Sequence, residues 1–104
     1  MKIPLTKITI ISESLLKDKL TKLIRENGST GYTLTKVEGE GSRGTRASDF
    51  EGRNVMIETI VSESAADAIL EALSDKYFEH FAIIAWLSKV DVLRGEKFVT
   101  DTAG

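Results

Sequence analysis

Ile10-Ile11-Ser12-Glu13-Ser14 recurs as Ile60-Val61-Ser62-Glu63-Ser64, and the fold follows from this weak internal repeat. Each copy ends an apolar, β-branched run, residues 7–11 and 55–61, with the composition of a strand. Each copy also opens an amphipathic segment. In the first, Leu15, Leu16, Leu20, Leu23 and Ile24 fall on one helical face, which Asn27-Gly28 closes. In the second, Ala66, Ile69, Leu70, Leu73 and Tyr77 keep the i, i+3, i+4, i+7, i+11 spacing. The serines are expected as N-caps, and the glutamates suit the positive end of a helix dipole. A second echo, Thr35-Lys36-Val37 against Ser88-Lys89-Val90, sits in the strand after each helix. The pattern predicts an α+β chain of the ferredoxin-like βαββαβ type, a four-stranded antiparallel sheet with two helices on one face.

Two helices cover only one face of such a sheet. The last strand, read over residues 81–93, is nevertheless apolar at both parities. Phe81, Ile83, Ala85 and Leu87 lie on one side, and Ala82, Ile84 and Trp86 on the other. A strand apolar on both faces is buried on both. The second face is therefore expected to pack against further copies of the chain, making a homo-oligomer.

At 104 residues the chain supports one hydrophobic core. Hydrophobic residues make up 41% and charged residues 29%, which suits a globular domain. The net charge of −2 speaks against a general nucleic-acid binder, since phosphate rewards an excess of Lys and Arg. RNA-binding domains of the same topology need exposed aromatics on their central strands, and residues 7–11 and 55–61 carry none. The absence of cysteine excludes disulfide and thiolate chemistry and fits a reducing cytosol. The first residues, Met-Lys-Ile-Pro-Leu-Thr-Lys, lack the apolar run of a signal peptide. No stretch reaches the roughly 18 apolar residues of a membrane span.

Residues 39–48 read Gly-Glu-Gly-Ser-Arg-Gly-Thr-Arg-Ala-Ser, without one large apolar side chain. The glycines let backbone N–H groups approach a ligand closely, and the hydroxyls with Arg43 and Arg46 donate well to anionic oxygen. This donor-rich connection between the strand runs at 32–37 and 55–61 is the candidate functional loop. Gly39-x-Gly41-x-x-Gly44 formally matches a dinucleotide fingerprint, but residues 45–53 lack the helical apolar period that the fingerprint requires. What remains is a phosphate nest of backbone N–H groups beside two arginines. His80, the one histidine, reads as a polar residue of the helix-to-strand connection, and Trp86 as core or subunit interface. Glu58 stands mid-strand among apolar residues. A carboxylate there is costly to bury alone, so it faces solvent or a cleft.

The row Gly28-Ser29-Thr30-Gly31-Tyr32-Thr33-Leu34-Thr35-Lys36-Val37-Glu38-Gly39-Glu40-Gly41-Ser42-Arg43-Gly44-Thr45-Arg46 resembles the second strand and T-loop base of the PII signalling superfamily. The spacing Gly31-x-Thr33-x-Thr35-x-Val37-x-Gly39-x-Gly41 carries the resemblance. Together with Lys76-Tyr77-Phe78 and Val92-Leu93-Arg94-Gly95, the sequence is most similar to the SbtB branch, PII-like partners of a cyanobacterial sodium-dependent bicarbonate transporter. The resemblance spans residues 1–104 as one domain, with the T-loop over about residues 41–53.

It implies a PII-like homotrimer that binds adenine nucleotides (cAMP, AMP, ADP or ATP) in the clefts between subunits, ATP bringing a divalent cation with it. Thr33 and the backbone at Ile60 would hold the adenine, with Ile10 packing on the base. Gly39 and Gly41 would let the loop base close over the nucleotide, and Ser42, Arg43 and Arg46 would take phosphate. Glu58 falls at a matching acidic position. The implied role is regulation of a bicarbonate transporter through the T-loop by a cytoplasmic protein that joins the membrane only when docked. The chain departs from nitrogen-sensing members in lacking their Gly- and Lys-rich B-loop, the modified T-loop tyrosine, and the glutamine that helps hold 2-oxoglutarate. It also lacks the C-terminal cysteine pair of some SbtB relatives. A competing class is a small phosphate-ester hydrolase acting on ATP or ADP, with the arginines as anion clamps. No nucleophile with an adjacent base is evident to serve it.

Overall fold

The computed structural model describes residues 2–39 and 54–94. Strict alternation makes β3, Asn54–Val61, a half-buried strand. Val55, Ile57, Thr59 and Val61 are buried, while the residues between them are only partly covered. Around it stand β1 (Lys2–Glu13), β2 (Thr33–Val37) and β4 (Ile84–Leu93), in the order β2-β3-β1-β4 with every neighbouring pair antiparallel. The helices α1 (Lys17–Glu26) and α2 (Glu63–Leu73) follow β1 and β3. This is the ferredoxin-like α+β arrangement that the repeat predicts.

Both helices pack on one sheet face. Ile8 and Ile10 of β1 and Val55, Ile57 and Val61 of β3 join Leu20, Leu23, Ile24, Ala66, Ile69 and Leu73 in one buried cluster. Each of its Val, Leu and Ile side chains contributes about 1.5–3 kcal/mol by leaving water. The register places Ile10 opposite Ile57 and Ala85, and Ile8 opposite Thr59 and Leu87, which fixes the helix-covered face strand by strand. The other face is open in the single chain.

Three expectations shift. β1 runs from Lys2, well beyond residues 7–11, because residues 2–5 pair with β4 alone after the β3 pairing ends at Thr6↔Val61. Pro4 stands in that one-sided stretch, where a missing backbone N–H is tolerated. Second, β4 begins at Ile84 rather than at residue 81. Ser74–Phe78 form a single wide π-helical turn, and the Phe81 N–H donates to the Tyr77 carbonyl at 3.0 Å. The two rings sit 5.7 Å apart and pack against the core. Third, Ser14–Leu16 form a 3-10 turn before α1, which buries Leu16 and leaves Leu15 exposed instead of on the apolar face.

Only the second serine caps. Ser62 is extended, and its Oγ accepts from the Ala65 N–H at 3.2 Å. In the first copy Ser12 Oγ donates instead to the Glu13 carbonyl at 3.0 Å, and the 3-10 turn and α1 start without a side-chain cap. Ser62→Ala is therefore expected to cost about 1 kcal/mol in urea unfolding. Ser14→Ala, which removes no cap, should stay within about 0.5 kcal/mol.

Candidate functional site on the open sheet face

Four strands bring Thr33, Glu58, Thr9 and Trp86 into one row on the open face, through the pairs Thr33↔Glu58, Thr9↔Glu58 and Thr9↔Trp86. The next row holds Ile60, Lys7 and Ser88, and the row on the other side Thr35, Met56, Ile11 and Ile84. Thr33, Glu58 and Ile60, separate in the sequence, thus come together at the β2–β3 end of this face. Adjacent strands place such residues about 5 Å apart at Cβ.

Glu58 has a partner. Its Oε2 lies 3.2 Å from the Lys7 Nζ, and the side chains are 28% and 34% exposed. The strand-centre carboxylate is half-buried but compensated, as its position demands. Partial exposure limits such a pair to at most about 1 kcal/mol, so its role is to place charge rather than to hold the sheet.

Ile10 is a correction. It points to the helices and is wholly buried in the core, so its side chain is not free to pack on a base. On the open face β1 presents Lys7 and Ile11 instead, with Thr9 buried between its neighbours in the row. Thr33 is exposed at the start of β2. Gly39 is exposed too, and a Cβ built on it would meet nothing within 4 Å, so no neighbour in the chain itself demands glycine there. Gly41, Ser42, Arg43 and Arg46, and with them the T-loop over residues 41–53, lie outside the described residues. Trp86 is 44% exposed and Ile84 59% exposed, both on the open face rather than in the core. His80 is exposed in the helix-to-strand connection, where the sequence puts it.

The sequence reading misses one cluster. Ser29 and Thr59, both buried, place their hydroxyls 2.7 Å apart. Each hydroxyl oxygen lies 2.8 Å from the Gly31 carbonyl oxygen, and the Gly31 N–H donates to Ser29 Oγ at 3.3 Å. The only trace in the sequence is the run of small residues Gly28-Ser29-Thr30-Gly31, which says loop but not what the loop touches. Beside it the Arg25 guanidinium lies 5.6 Å from the centre of the Tyr32 ring, a cation–π contact worth about 0.5–1 kcal/mol at an exposed site.

Among the described residues no three His, Cys, Asp or Glu side chains gather as a metal site would require. No described helix is long and apolar enough to cross a membrane. The arrangement offers hydroxyls, backbone groups and one compensated ion pair.

Solved structures of the same shape are informative. A putative PII-like signalling protein of Thermus thermophilus is 45% identical, with a TM-score of 0.82 over 94% of this chain and 98% of that one. CPII of Thiomonas intermedia, solved with ADP, AMP and acetate, is 28% identical, with a TM-score of 0.82 over 94% of this chain and 97% of CPII. A further CPII structure, 29% identical, holds ADP and bicarbonate. GlnK of B. subtilis in complex with ATP shares the fold at 17% identity and a TM-score of 0.61, covering 86% of this chain and 84% of that one. The family model for nitrogen regulatory protein P-II matches residues 5–97. The chain belongs to the P-II family of regulatory proteins.

Proposed function

We propose that this protein is a trimeric adenine-nucleotide sensor whose T-loop changes state on binding and is read by a membrane transporter for bicarbonate. The observation that carries the nucleotide part is CPII, 28% identical over nearly the whole chain and solved with ADP and AMP. The bicarbonate in another CPII structure supports a role in inorganic-carbon handling, and the SbtB-like motifs support the transporter as partner. Thr33, Gly39, Gly41, Glu58 and the backbone at Ile60 would surround base and ribose, and Ser42, Arg43 and Arg46 would take phosphate. AMP, ADP, ATP and cAMP all share the adenine that these contacts hold. The ligand acts by population shift, and moves the loop only by as much as it binds one loop state better than the other. No bond needs to break.

Calorimetry of the purified protein against cAMP, AMP, ADP and ATP tests the reading. At least one should bind, and Arg46→Ala should weaken it about tenfold to a hundredfold, because a hydrogen bond to a charged group contributes roughly 1.5–3 kcal/mol. Adenosine, which has no phosphate, should be indifferent to that change. Silence toward all four nucleotides would sink the proposal. Equal losses for adenosine and nucleotide would show that the arginine shapes the loop instead of holding phosphate.

A further inference from the structure

We infer that Ser29 and Thr59 form a positioning clamp for the nucleotide site: two buried hydroxyls that hold the Gly31 carbonyl and thereby set residues 31–33 against β3. The inference rests on the nucleotide reading above. Thr59 stands between Glu58 and Ile60 on β3, but its side chain takes the helix face while theirs take the open face. The same strand segment therefore presents two proposed ligand-holding positions on one side and grips the start of β2 on the other. The gripped residue, Gly31, comes two positions before Thr33, which pairs directly with Glu58. Gly31 thus sits just ahead of the point where the β2–β3 ladder begins, and its position bears on how Thr33 enters that ladder beside Glu58.

Packing does not hold this segment. Thr30, Tyr32 and Thr33 are exposed, and a Cβ built on Gly31 would meet nothing within 4 Å. Ahead of the ladder that starts at Thr33↔Glu58, its buried anchors are the hydroxyl contacts, 2.7–2.8 Å long, and the bond from the Ser29 N–H to the Ile24 carbonyl at 2.9 Å. That bond ties the clamp to the end of α1, beside the exposed contact of Arg25 with Tyr32. One proton on each hydroxyl satisfies the Gly31 carbonyl in either of two arrangements. Burial removes water as a competing partner, so such bonds orient strongly. A segment fixed by them is competent to bind before the ligand arrives. Once released, it is competent for only part of the time, and apparent affinity falls by that fraction.

Thr59→Val keeps the shape and removes the hydroxyl, whereas Thr59→Ser keeps the hydroxyl. With ADP as the probe in calorimetry, Thr59→Val should bind about fivefold to tenfold more weakly, the equivalent of one lost neutral hydrogen bond. Thr59→Ser should bind within about twofold of the wild type, a rescue that stability loss alone would not produce. Amide exchange at residues 31–34 should quicken in Thr59→Val and not in Thr59→Ser. Ser29→Ala approaches the clamp from the other side and decides the matter if Thr59→Val does not fold. Unchanged ADP affinity in the folded hydroxyl-free variants would overturn the clamp while the nucleotide reading stands. A wild type that binds none of cAMP, AMP, ADP and ATP would overturn the assignment together with the reading it rests on. That titration comes first, its tightest nucleotide replacing ADP as the probe if ADP is silent.

Discussion

Trp86→Glu is expected to break the assembly and abolish measurable nucleotide binding while leaving the fold of the single chain intact. The side chain is 44% exposed on the open sheet face, opposite the helices, with Ile84, 59% exposed, on the same strand and face. Exposed aromatic and aliphatic groups on one flat face mark an interaction surface. If copies of the chain cover it, a carboxylate there must lose its water, and no described cation on the strands of the same face stands free to pair it. The cation that β1 places on this face, Lys7, is already engaged by Glu58. Burying an unpaired charge costs several kcal/mol, enough to lower association by a factor on the order of a thousand. Sedimentation velocity should report a trimer of the 11.4 kDa chain for wild type and a monomer for the variant. Far-UV circular dichroism should not change, because the core lies on the other face. If nucleotide binds between subunits, calorimetric heat disappears along with the trimer. A variant that stays trimeric with wild-type affinity would place the subunit contact elsewhere.

Gly28→Ala should give the largest loss of stability, about 2–6 kcal/mol. Two separate effects act at this position. The backbone has φ +115°, which L side chains rarely adopt, and a Cβ would sit 2.8 Å from the Cβ of Ala65 in the first turn of α2. Strain of this kind costs about 1–3 kcal/mol, and the overlap about as much again. Urea unfolding measures the sum, and the double variant Gly28→Ala/Ala65→Gly separates the parts. Removing the opposing methyl should recover the overlap, less the roughly 1 kcal/mol that a glycine costs inside a helix. The backbone part should persist. A single-variant loss under about 0.5 kcal/mol would mean that the turn rearranges freely, since ordinary surface changes stay within that range.

Much of this architecture was legible before any coordinates. The alternation of residues 55–61, the helical spacing of Leu20, Leu23 and Ile24, and the Ser62 cap are local patterns, and local patterns reflect local geometry. The two-sided apolarity of β4 likewise announced apolar side chains on both faces of the sheet: Ala85 meets the core while Ile84 and Trp86 look outward. The glycine, hydroxyl and arginine pattern of residues 39–48 makes that stretch the candidate loop by its chemistry, and all of it past Gly39 lies outside the described residues.

Other features needed the tertiary fold. Ile10 and Ile11 are adjacent isoleucines, and composition cannot say which one turns to the helices. Pairing with Ile57 and Ala85 decided for Ile10, because a strand's register sets the face of every side chain on it. Leu15 fits the helical period by spacing but falls in a 3-10 turn, where the angle per residue differs and carries it out to solvent. The contact between Ser29 and Thr59 joins residues 30 positions apart that share no periodicity. Nor could spacing reveal that Lys7 neutralises Glu58 across two strands. The sequence determined which elements form, because helix and strand periods are properties of neighbouring residues. Only the packed sheet decided which side chains share a site, because that depends on strand order and register.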